Sequence, residues 1–227
     1  WLPLSRGLGD VYKRQDMEDA ESVIRAIHQT PPEQPIDLIL HTPGGLVLAS
    51  LQIARALARH PGPVRALVPY YAMSGGTLLA IAADEILMSP HAVLGPLDPA
   101  IDEVPAASIL RAVAQKDPKD VDDDTLILAD QAQMAIRQLR ESLADLLLAK
   151  LGKERTEEVA TALTEGRWTH DYPITPEQVS GLGLKVSTGM PESVLDLMAL
   201  YPQPMRGLAG VEYAPRERQA REAAPPK

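Results

Sequence analysis

Tyr70-Tyr71-Ala72-Met73-Ser74-Gly75-Gly76-Thr77 is the stretch on which the reading of this chain turns. It follows the apolar run 64–69, which has the character of a buried strand. It opens the small-residue run 74–83, which reads as a helix. About thirty residues upstream, Thr42-Pro43-Gly44-Gly45 stands in the same place, between the apolar run 36–41 and the helical pattern 46–60. Strand, Gly turn and helix, twice in succession, predict parallel βαβ units. Loops at the carboxyl ends of parallel strands converge on one edge, so Gly44-Gly45 and Ser74-Gly75 meet there. A serine at such a turn can supply a nucleophilic oxygen. The N–H groups of Gly45 and Gly75, assisted by the helix dipole, can hold the oxyanion that its attack creates. The plainer reading is that Ser74 merely caps its helix. The local sequence is not GxSxG, so an α/β-hydrolase elbow is not expected.

The pattern continues outward. Residues 17–30 carry Ala20, Val23, Ile24 and Ile27 at helical spacing, and Pro31-Pro32 ends that helix. Residues 85–88 read as a third strand, and 90–102 as a Pro/Gly-rich loop. The polar segment 115–124 reads as an exposed excursion. Residues 124–151 form a long amphipathic helix, apolar over a face wide enough for the core and for another subunit. A shorter helix over 156–163, a helix start with a capping box at Thr175-Pro176-Glu177-Gln178 and a closing strand at 184–187 complete the pattern. Three regions result: an N-terminal extension, 1–15; one α/β domain, 16–203; and a polar tail, 204–227. The extension begins at Trp1, has neither helical nor strand periodicity, and resembles a translated adapter remnant. It is set apart from fold reasoning, with a native disordered arm as the alternative.

Composition narrows the function. The 227 residues suffice for one sizeable domain, and the formal charge of −9 argues against nucleic acid as main partner. With no cysteine, thiolate metal sites and a Cys nucleophile are excluded. The five histidines have no HExxH spacing. No run approaches the ~18 apolar residues of a bilayer span.

A nucleophilic serine needs a base, and several residues offer one. His170-Asp171 could be a base and its orienting carboxylate, or a pair that stabilises a turn. Lys116 and Lys119 stand in the charged excursion, where a lysine base would have to be desolvated. His91 lies seventeen residues after Ser74 in the loop beyond the third strand. Asp98, in a turn between prolines, is an outside candidate for a polar site contact.

Four blocks, in order, resemble the serine dehydrogenase proteinase family, relatives of signal peptide peptidase and, more distantly, of the Clp proteolytic subunit. They are residues 36–45, Ala72-Met73-Ser74-Gly75-Gly76-Thr77, Leu94-Gly95-Pro96-Leu97-Asp98-Pro99 and Trp168-Thr169-His170-Asp171-Tyr172-Pro173-Ile174. The resemblance implies the α/β Clp/crotonase fold of stacked ββα units, with a long helix in its second half. It implies a serine peptidase acting on peptides or proteins, assembly into homo-oligomers and no cofactor. It also implies membrane association through an N-terminal segment not contained in this sequence. Carried over by residue, Ser74 is the nucleophile, with Gly44, Gly45 and Gly75 forming the oxyanion hole. The signal peptide peptidase pattern places a lysine base before the long helix, for which Lys116 is the counterpart. The Clp catalytic histidine falls near Leu97-Asp98, where this chain has no histidine. The Clp aspartate falls near His170, so His170 and Asp171 can still line the site. Two other readings stay open: a non-catalytic scaffold that keeps the fold, and a crotonase-like enzyme using the paired N–H groups on an acyl-CoA thioester.

Overall fold

The computed structural model describes residues 15–101 and 104–200. Residues 1–14 of the expected extension and the tail 204–227 lie outside the described residues. In chain order the first half contains α1 (Met17–Gln29), β1 (Ile36–Ile39), α2 (Val47–Ala58), β2 (Val64–Val68), β3 (Tyr71–Ala72), α3 (Gly75–Ala82), β4 (Glu85–Met88) and β5 (Val93–Leu94). The second half contains β6 (Ala100–Ile101), β7 (Val104–Pro105), α4 (Ala106–Ala114), α5 (Asp123–Leu151), α6 (Lys153–Thr164), α7 (Pro176–Gly181), β8 (Val186–Ser187) and α8 (Glu192–Ala199). This is the α/β arrangement of stacked ββα units expected from the sequence.

The main sheet is parallel throughout, in the order β1-β2-β4-β8. Its inner face carries Ile36, Leu38, Val64, Ala66, Val68, Ile86 and Met88, all buried. They pack with Ile53 and Leu57 of α2, Leu78 and Ile81 of α3, and Leu143 and Leu147 of α5 in one core. Each large apolar side chain buried there contributes about 1.5–3 kcal/mol. The outer face is covered less fully, by Val194 of α8 and by Met190 over Leu67 and Leu87. At its exposed end Arg65 donates two hydrogen bonds of 2.7 Å to Asp37, a forked pair between neighbouring strands.

A second, narrower ribbon lies beyond the carboxyl ends of the main strands. Thr42 bridges Ala72 in parallel, β3 pairs with β5 in parallel through Ala72↔Leu94, and Leu94 bridges Ile174 antiparallel. The Leu94–Ile174 bridge makes both ladder hydrogen bonds, at 3.0 and 2.9 Å. The segments after β1, β2 and β4, together with residues 170–174, thus lie side by side. These two-residue ribbon strands, and the β6–β7 hairpin, occupy stretches whose sequence reads as turns and loop.

Gln15 belongs to this layer, although its sequence context reads as part of the extension. It bridges Gly45, its N–H donates to Gly44 O at 3.1 Å, and its carbonyl accepts from Leu46 N–H at 2.8 Å.

Helix α5 joins two bodies of packing. Its second half, with Leu139, Leu143, Leu146 and Leu147, enters the main core. Its first half, with Ala129 and Ala132, packs on Ala106 and Ile109 of α4, a helix not expected from the sequence. Asp122 caps the start of α5 by accepting from Thr125 N–H at 2.9 Å. Near its end Lys150 donates to the carbonyls of Ile81 and Ala83 at 2.5 Å each, capping the C-terminus of α3.

Candidate active site

Ser74 sits between β3 and α3 with φ 48° and ψ −117°. Among the described residues it is the one non-glycine with positive φ. Such a conformation costs of order 1–3 kcal/mol and persists where the surroundings hold it. It is a strained strand-to-helix turn of the kind that can present a serine hydroxyl, here without the GxSxG sequence. The Ser74 side chain makes no capping hydrogen bond. The simple-cap reading of this serine therefore fails.

The glycines are explained by close approach. A Cβ on Gly44, itself at φ +109°, would stand 2.8 Å from Ser74 Cβ and 2.9 Å from Met73 O. A Cβ on Gly75 would stand 2.2 Å from Ser50 Oγ of α2 and 3.2 Å from Gly45 N. The two Gly turns are therefore in contact, as convergence at the sheet edge predicted. Gly44 N–H donates to Thr42 Oγ1 at 3.0 Å. Among the described residues, the N–H groups of Gly45 and Gly75 have no protein acceptor. Two neighbouring unmatched donors, one of them at a helix N-terminus beside Ser74, have the composition of an oxyanion hole.

The histidine and the carboxylate come from elsewhere. His170 Nδ1 lies 2.7 Å from Asp98 Oδ1. The Asp98 side chain is 2% exposed and that of His170 is 48% exposed. A buried carboxylate requires a partner, and the imidazole is it. The loop before and after Asp98 is pinned: Leu97 N–H donates to Leu163 O at 2.8 Å, and Pro99 O accepts from Ala106 N–H at 2.9 Å. The turn holding His170 is fixed on both sides. Trp168 stacks on Tyr172 with centroids 5.4 Å apart, and Ile174 is paired to Leu94.

Ribbon register sends the segments that carry these groups in one direction. Ser74 is two residues beyond Ala72, and Asp98 is four beyond Leu94 in the parallel neighbour. His170 is four residues before Ile174, whose strand runs antiparallel, so it extends in the same direction. With Nδ1–H donating to Asp98, Nε2 is the ring atom of His170 whose lone pair can take a proton from a hydroxyl.

The other candidates stand differently. Asp171 is exposed, and His170 pairs with Asp98 rather than with this neighbour. Lys116 is exposed just past the end of α4, in electrostatic reach of Asp122. Lys119 pairs with Asp117 at 3.1 Å in solvent, and His91 is exposed. The desolvation a lysine base needs is supplied to neither lysine by the described residues. His41, at the end of β1, contacts the rings of Tyr70 and Tyr71 beside the nucleophile turn. Burial lowers its pKa. The sequence signal for Asp98 is its place in a Pro-bracketed turn within a block shared with the resembled family.

Known proteins agree with this architecture. The uncharacterized protein MJ0137 of Methanocaldococcus jannaschii is 55% identical over 205 residues, covering 90% of this chain and 72% of its own length. A second uncharacterized protein of that organism, MJ1495, is 51% identical over 205 residues, covering 90% and 70%. Among solved structures, the 1510-N membrane-bound stomatin-specific protease matches in two forms. A lysine-to-alanine mutant in complex with a substrate peptide has TM-score 0.54 and 20% identity, covering 81% of this chain and 75% of that one. A serine-to-alanine mutant has TM-score 0.53 and 19% identity, covering 81% and 79%. At that identity the likeness concerns the fold. Residues 7–226 match the family of ClpP-like SDH-type serine proteinases, and the chain belongs to it.

Proposed function

We propose that this chain is a serine peptidase that hydrolyses peptide bonds through an acyl-enzyme on Ser74, with His170 as general base and Asp98 as its orienting carboxylate. Ser74 Oγ attacks the peptide carbonyl carbon as His170 Nε2 takes the hydroxyl proton. Gly45 and Gly75 N–H groups stabilise the tetrahedral oxyanion. The C–N bond breaks as His170 returns the proton to the leaving amine. Water, deprotonated by the same imidazole, then hydrolyses the ester and regenerates Ser74. Asp98 holds the tautomer and stabilises the imidazolium.

The observation that supports this reading is the Asp98–His170 hydrogen bond, on segments that the ribbon runs beside the one leading to the strained Ser74 turn. The sequence resemblance puts the Clp histidine near Leu97-Asp98 and the Clp aspartate near His170. A carboxylate and an imidazole stand at those places with their types exchanged, so the relay runs only if the His170 imidazole, and not Asp98, is the group that reaches Ser74 Oγ. Leu46, Val47, Leu48 and Tyr70 are exposed apolar side chains flanking the two turns, a surface suited to a peptide. Active-site titration with a fluorophosphonate tests the reading. Ser74→Ala, His170→Ala and Asp98→Ala should each lose labelling and peptidase turnover. Retained turnover in Ser74→Ala refutes it.

A second reading, Lys116 as base, has one specific support. The 1510-N protease was solved with a serine and a lysine replaced, about forty residues apart, and Lys116 follows Ser74 by a similar interval. This reading requires a second subunit or the substrate to cover the exposed excursion. Assembly is part of the proposal: Leu126 and Ile127 are exposed on the first half of α5. Membrane association, a property of the 1510-N protease by its name, is proposed only through a segment outside the described residues. Among these, no helix is long and apolar enough to cross a membrane.

A further inference from the structure

We propose that Thr77 is a positioning residue whose hydroxyl locks the nucleophile turn to the loop that carries Asp98; this rests on the Ser74–His170–Asp98 reading. Thr77 is buried in the first turn of α3. Its Oγ1 lies 2.9 Å from Ala72 O and 2.8 Å from Gly95 O, and accepts from Gly95 N–H at 3.1 Å. Ala72 is two residues before Ser74, and Gly95 is three before Asp98. One hydroxyl, with a single proton and two lone pairs, therefore binds both segments at once.

The ordinary role of a helical threonine is visible elsewhere in the chain. Thr30 and Thr164 donate to the carbonyls of Ala26 and Ala160, four residues back. Such bonds are local and position nothing else. Thr77 differs: its partners lie outside its helix, five residues before it and eighteen after it. The neighbouring glycines are closely packed. A Cβ on Gly95 would stand 2.7 Å from Met73 Cε, and one on Gly76 would stand 2.6 Å from Thr42 Cγ2. Gly95 N–H also reaches Ala72 O directly at 3.2 Å, so without the hydroxyl β3 and the Gly95–Asp98 loop keep that bond but lose the second tie between them.

Thr77→Val keeps the shape and removes the tie. The expected result is a 10- to 100-fold fall in kcat with little change in KM, since small misplacements of reacting groups carry penalties of that size. The acid limb of the kcat/KM profile should also move to lower pH. A loosened Asp98 supports the His170 imidazolium less well, which a merely structural defect does not reproduce. Thr77→Ser keeps the hydroxyl and should restore both rate and limb. Thr77→Ala should behave as Thr77→Val, so the Ser/Ala comparison carries the test if the valine variant does not fold. His170→Ala, assayed in parallel, separates the role of Thr77 from the reading beneath it. Wild-type turnover in His170→Ala removes the underlying reading. An inactive His170→Ala beside equal rates and equal acid limbs for Thr77→Ser and Thr77→Ala overturns the role of Thr77 alone.

Discussion

His170 Nδ1 and Asp98 Oδ1 are 2.7 Å apart although their residues are 72 positions apart, and each lies four residues from the Leu94–Ile174 bridge that joins their segments. The carboxylate that meets this imidazole is therefore a distant residue and not the adjacent Asp171. Asp98→Asn keeps the shape of this contact but reverses its polarity, favouring the wrong imidazole tautomer. We expect kcat to fall by about 10³- to 10⁴-fold, as in other triads of this chemistry. Thermal unfolding of the variant should show an intact fold. A loss below tenfold in a folded Asp98→Asn contradicts the assigned role.

Ser74 holds a conformation suited to glycine, and its hydroxyl does no structural work. Ser74→Gly should therefore abolish fluorophosphonate labelling and also stabilise the protein. Relief of about 1 kcal/mol corresponds to roughly 2–4 °C in Tm for a chain of this size. Calorimetry checks this, and a lowered Tm would show that the strain is not located at this residue.

Lys150 links the last turn of α5 to the C-terminus of α3, the helix that starts at Ser74. Burial lowers the pKa of this ammonium, and Asp84 opposes the effect. Lys150→Met leaves the carbonyls of Ile81 and Ala83 without their donor. We expect a loss of about 1–3 kcal/mol in urea unfolding. Unchanged stability would mean that water replaces the cap at no cost.

His41 gives a pH dependence of stability with a definite sign. Burial depresses its folded-state pKa, and its Nδ1 is buried without a partner. The unfolded chain, with an imidazole pKa of about 6.5, then binds more protons in the window below that value. Folding stability from this group is complete above the unfolded pKa and falls as pH drops toward the folded one. Urea unfolding at pH 7.5 and pH 5.5 should show a smaller loss in His41→Phe than in wild type. Equal losses would remove His41 from the acid sensitivity of the fold.

The main sheet is legible in the sequence because its strands are continuous apolar runs. The runs 64–69 and 85–88 match β2 and β4 nearly to their bounds, and the capping box at Thr175 is present as expected. The convergence of Gly45 and Ser74 is legible too, since parallel topology dictates it. Two-residue strands such as β3 and β5 carry no period of their own, so the ribbon is invisible in the sequence. With it goes the pairing of Asp98 and His170, which depends on register between distant segments. Asp171 is the natural partner for His170 by adjacency, but neighbours on an exposed turn need not face each other. The exposure of Lys116 is legible: the polar segment 115–124 reads as an exposed excursion, and both of its lysines are exposed. Helix α4 escapes a sequence reading because Ala106–Ala114 is short, Ala-rich and directly preceded by a Pro-rich loop.

The assignment of the base to His170 is tested most directly by fluorophosphonate labelling of the purified protein, with His170→Ala and Lys116→Ala compared at equal concentration and Ser74→Ala as the blank. Wild type and Lys116→Ala should label at similar rates, and His170→Ala should not label. Labelling that survives in His170→Ala and disappears in Lys116→Ala would overturn the histidine assignment and give the base to the lysine.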